Sequence, residues 1–88
     1  MTQPSSFPLP SVHLNGTGRK TLSEGYFNAY RKLQEADRAF REIEFNARDY
    51  YVQGPGAWPQ ARTERDAMHA KFEELRVYLE THLAHLGE

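Results

Sequence analysis

Cysteine is absent from the 88 residues, which excludes a disulfide framework, a thiolate metal site and a cysteine nucleophile. An excess of one charge is missing too. Eleven Lys and Arg stand against 12 Asp and Glu, a formal net charge of −1 with neutral histidines, so bulk electrostatics makes no case for duplex DNA or an anionic lipid surface. No run approaches the ~18 to 20 apolar residues of a membrane span, and the opening MTQPSSFPLP has neither the basic segment nor the apolar stretch of a signal peptide. A cytoplasmic protein without membrane contact is expected. The length allows one small domain with little room for a self-sufficient core.

What is present is mostly helical pattern. Residues 1–10 hold three of the five prolines together with Gln3, Ser5 and Ser6, a composition that favours an extended, polyproline-like tail. From Ser11 to Lys20, Val12 and Leu14 alternate with polar neighbours and lead into Asn15-Gly16 and Gly18, residues suited to the positive φ of tight turns. Thr21-Leu22-Ser23-Glu24 matches a capping box and predicts a helix from Leu22. Leu22, Tyr26, Ala29, Leu33, Ala36, Phe40, Ile43 and Ala47 then follow alternating steps of four and three, the seam of a coiled-coil-like helix. Asn46, Gly54, Pro55, Gly56 and Pro59 interrupt the pattern, and Pro59 suits the first turn of a second helix. There the seam resumes as Ala61, Arg65, Met68, Phe72, Leu75, Leu79, His82 and Leu86, with Gly87 as a stop.

The expected fold is therefore all-α. Residues 1–20 form an extended N-terminal arm with a turn, and residues 21–88 an antiparallel two-helix hairpin with helices over about 22–47 and 57–86. Two helices alone bury few layers, and Phe27 and Tyr30 widen the first seam. Both features predict that hairpins assemble into a helical-bundle homo-oligomer.

Two segments carry residues with binding chemistry. His13, Asn15, Thr17, Arg19 and Lys20 run into a helix N-terminus, where glycines, free amides and two cations suit a phosphate, although the spacing is not that of a P-loop. The bland alternative is a turn at Asn15-Gly16 followed by a cap at Thr21. Arg48, Tyr50, Tyr51 and Gln53, with Trp58 behind them, offer ring faces, a guanidinium and an amide, the groups that stack and read a nucleobase. The alternative is that a tyrosine closes the end of the bundle while Arg48 pairs with Asp49 or caps the first helix. Arg65 in the seam reads either as a snorkelling side chain or partner for an acidic residue, or as an anion ligand in an oligomer's channel. His82 and His85 share a face but find no third metal ligand at suitable spacing, so no metal site is expected, and His82 reads as a hydrogen bond across the bundle where the arm returns. No catalytic motif is legible, no cofactor is implied and no enzyme is expected.

The strings Leu9-Pro10-Ser11-Val12-His13-Leu14-Asn15-Gly16-Thr17 and Ala47-Arg48-Asp49-Tyr50-Tyr51-Val52-Gln53-Gly54-Pro55 resemble those of small uncharacterised proteins encoded by phages and prophages, which pair an HLNGT arm with an RDYY-x-QG loop between two helices. The resemblance spans nearly the whole chain. It implies an accessory role in the host cytoplasm, such as counter-defence. By analogy of size and class, it suggests a helical oligomer that sequesters a nucleotide signal without cleaving it.

An extended arm of some 14 residues reaches about 45 Å, enough to run back along a helix of about 40 Å. The arm could thus meet the tyrosine loop of its own hairpin, or that of an antiparallel neighbour. The leading expectation is a non-enzymatic oligomeric binder of a small anionic, nucleotide-type ligand held by His13, Asn15, Thr17, Arg19, Lys20, Arg48, Tyr50, Tyr51 and Gln53. The alternative is an interaction module that grips a host or virion protein, with both motifs structural. Nucleic acid is the least favoured partner.

Overall fold

In a computed structural model of the chain, which describes residues 7–87, two antiparallel helices, α1 (Arg19–Arg41) and α2 (Ala57–Leu86), are joined by a linker containing two 3₁₀ turns, Ala47–Asp49 and Tyr51–Gln53. The helices are about 35 and 45 Å long. Among the described residues there is no strand. The tail expected over residues 1–6 lies outside the described residues, and the arm is followed from Phe7.

α2 occupies the span its seam and stop signals predict, with Pro59 in its first turn and Gly87 at its C-cap. α1 differs at both ends. It begins at Arg19 rather than Leu22, with Gly18 as an extended N-cap at φ −67° and ψ 155°. Arg19 donates to the Leu86 carbonyl at the far end of α2, a tie between helix ends that carries α1 past the expected box. Thr21 and Glu24 are thus interior residues, and Glu24 pairs with Lys20 at 3.2 Å instead of reaching back to a cap. The turn expected at Asn15-Gly16 falls one residue earlier, at Leu14-Asn15, closed by the Gly16 amide on the His13 carbonyl at 3.1 Å. Neither Gly16 nor Gly18 has positive φ; among the described residues only Gly54 does, at 120°.

α1 ends at Arg41, about two turns short of Ala47. Phe45 lies five residues beyond Phe40, and at 3.6 residues per turn a continued helix would carry its ring about 140° off the seam. The chain bends instead and packs Phe45 against Trp58 at 4.7 Å and Tyr50 at 5.6 Å. Arg65 of α2 holds the bend. Its guanidinium donates to the carbonyls of Phe40 at 3.3 Å and Ile43 at 3.4 Å and lies 4.5 Å from the Phe45 ring centre, so the Arg65 cation satisfies helix-end carbonyls rather than an acidic side chain or an anion.

The two seams divide into two rows each. Tyr26, Leu33 and Phe40 meet α2 through rows containing Arg65, Phe72, Leu79 and Leu86, and of these Leu79 and Leu86 are buried. Of the companion heptad positions, Ala29, Ala36, Ile43, Met68 and Leu75 are exposed, Leu22 and Ala61 half-buried and His82 buried.

Candidate functional site

The arm doubles back only over the last turns of α2. Phe7 packs on Tyr78 at 4.6 Å and His82 at 5.5 Å, and His85 Nε2–H donates to the Pro10 carbonyl at 2.7 Å. His82, 1% exposed, is enclosed by Phe7, Tyr26 and Tyr78. Its Nδ1–H donates to the Tyr78 carbonyl in its own helix at 2.8 Å. His85, not His82, therefore makes the bond to the returning arm.

This path separates the nine expected ligand residues into two groups at opposite ends of the hairpin. At the arm end, the His13 ring folds over Gly16, where an added Cβ would meet Nε2 at 2.7 Å. Asn15 and Thr17 are exposed. Arg19 is occupied by the Leu86 carbonyl and Lys20 by Glu24, so the two expected phosphate cations already have partners. At the loop end, Tyr50 is half-buried against Phe45 and Trp58 and closes the hairpin. Arg48, Tyr51 and Gln53 are exposed. Arg48 neither pairs with Asp49 nor caps α1, whose Phe40 carbonyl accepts from Arg65 and whose Arg38 and Ala39 carbonyls accept from the Glu42 amide. With the length of α1 between them, the two groups form no pocket within one chain.

The hairpin's two broad faces differ in chemistry. On one, Tyr30 donates to Glu80 at 2.7 Å, Arg76 bridges Glu80 at 2.6 Å and Glu73, and Arg41 meets Asp37 at 3.1 Å. The Tyr30 hydroxyl, followed by Arg76, holds the Glu80 carboxyl below its ordinary range. Arg76 does the same for Glu73, and the bond to Glu80 raises the Tyr30 phenol. The Arg76 spacings are legible in the chain, whereas the Tyr30 contact depends on the register between helices.

The other face is open, with apolar side chains along its middle and Glu44, Glu64, Lys71 and Glu74 among the residues that line its hollows. A groove of about 240 Å³ at the arm end is lined by Leu22, Gly25, Tyr26, Ala29 and Leu79. Another of about 500 Å³ at the loop end lies among Phe40, Ile43, Phe45, Tyr50, Arg65 and Met68. Between them Leu75 is exposed beside Phe7 and Tyr78. Among the described residues no three His, Asp or Glu side chains gather as a metal ion needs, and no helix is long and apolar enough to cross a membrane. No family model, curated protein or solved structure matches the chain.

Proposed function

We propose that the protein is a non-enzymatic interaction module that works as a homo-oligomeric helical bundle, its hairpin laying the apolar face against a second helical surface. One observation carries the reading: each helix has two heptad rows, and in the second of them Ala29, Ala36 and Ile43, with Met68 and Leu75 opposite, stay exposed in the single chain. Such rows repeat every seven residues because a neighbouring helix fills them.

Light scattering on the purified full chain tests this. The expected mass is a multiple of 10.2 kDa. In the double variant Met68→Lys/Leu75→Lys it should fall to that of one chain with helical circular dichroism retained. A wild-type chain that scatters as a single protomer at every concentration overturns the reading.

The ligand reading keeps one specific support, that Arg48, Tyr51 and Gln53 are exposed while Tyr50 is half-buried against Phe45 and Trp58. A small anionic, nucleotide-type ligand would then sit on these three side chains where a second copy completes the enclosure. A nucleotide panel should raise the melting temperature, and Tyr51→Ala or Arg48→Ala should abolish the rise. Tyr50→Ala is the wrong variant, because it removes part of the loop's own packing.

A further inference from the structure

We infer that the surface covering the apolar face is a second copy of this chain in antiparallel orientation, the arm end of each protomer seated on the loop-end groove of the other. The inference rests on the interaction-module reading and specifies its partner.

The two ends of one chain complement each other, with an exposed Leu14 at one and an open hollow at the other. Across the opposite face, Tyr30, Glu80, Arg76 and Glu73 already satisfy one another.

The orientation follows from what each end has and lacks. The arm end carries Leu14 without cover in its own chain, at 98% exposure, and Val12 partly covered, at 41%. The loop end carries the larger hollow, about 500 Å³, with Ile43 55% and Met68 42% exposed on its wall. These features lie a helix length apart in one protomer, so the arm cannot fill its own groove. A parallel copy would bring hollow against hollow and arm against arm. A two-fold axis across the helices matches arm to hollow, and does so twice, as an isologous interface requires. The same rotation brings Asn15 and Thr17 of one chain towards Arg48, Tyr51 and Gln53 of the other.

Because the chain has no cysteine, single labels report the orientation directly. Lys20→Cys marks the arm end and Lys32→Cys the middle of α1; both sites are exposed. Spin labels at position 32 should be close across the dimer. Those at position 20 should be separated along the axis by about 35 Å more than a parallel pair would be. Equal, short separations at both positions overturn the antiparallel arrangement while leaving self-association intact. Absence of any intermolecular distance, with a single-chain mass by light scattering, overturns this inference and the interaction-module reading together. To test the arm's seat, Leu14→Asp and Ile43→Asp are combined. Side chains in contact across the interface should weaken dimerisation non-additively, and additive losses place the arm elsewhere.

Discussion

Arg65 occupies a seam position where an apolar residue is the ordinary choice, and its stem and guanidinium do the work of one while also ending α1. It serves the carbonyls of Phe40 and Ile43 and lies over the rings of Phe40 and Phe45. Arg65→Ala should destabilise the hairpin by about 1–3 kcal/mol, from lost charge-assisted bonds and cation–π contact, measurable as a lower urea midpoint. Glu73 and Glu80 set a second residue-scale expectation. Both carboxyls titrate below their ordinary value of 4.5, Glu80 because Tyr30 and then Arg76 donate to it, Glu73 because Arg76 does. The fold favours their charged forms, so the stabilisation is complete above the unfolded carboxylate range and is lost as pH falls through 4.5 towards the folded values. The melting temperature should therefore drop on acidification, and Glu73→Gln/Glu80→Gln should make that drop shallower. Tyr30→Phe should act in the same direction, because Glu80 loses its leading donor.

At the scale of the element, the two ends of α1 obey different causes. Thr21-Leu22-Ser23-Glu24 is a sound local signal, yet the helix starts a turn earlier, at Arg19, where the bond to Leu86 is made. Thr21→Ala should consequently change stability by no more than about 0.5 kcal/mol, whereas loss of a true cap costs about 1. Gly18→Asp should stabilise by about 0.5 kcal/mol, since the position is extended, nothing lies within 4 Å of an added Cβ, and the first turn of α1 holds no acidic residue. Paired denaturation curves separate the two; a large loss in Thr21→Ala would restore the box. α2 needed no such correction because its limits rest on Pro59 and Gly87, which act locally. The end of α1 was illegible for the opposite reason: only after α2 is in place can Arg65 reach the Phe40 and Ile43 carbonyls, and only then does Phe45 gain by leaving the helix.

For the whole molecule the controlling fact is elongation. The chain extends 61 Å with a radius of gyration of 18.5 Å, against about 12 Å for a compact domain of this length. A rod of two helices has one shared seam and two broad faces, and here one face is saturated by polar pairs while the other is not. Folding and association should accordingly be linked. The melting temperature should rise with chain concentration for the wild type and stay constant for Met68→Lys/Leu75→Lys. The same shape bears on the candidate ligand residues. Their chemistry was readable as two clusters, but whether the clusters meet depended on the arm's path, and His85 holding Pro10 keeps that path at one end.

The amino-acid sequence alone determined the helical class, the hairpin, the span of α2 and the existence of a double heptad row, because period, proline and glycine act within a few residues of themselves. Only the tertiary structure decided where α1 stops, that Tyr50 packs while Tyr51 does not, that Arg19 is held by the Leu86 carbonyl, and which heptad positions stay exposed. Each of these depends on the register of one helix against the other, and that register is set by contacts between residues far apart in the chain.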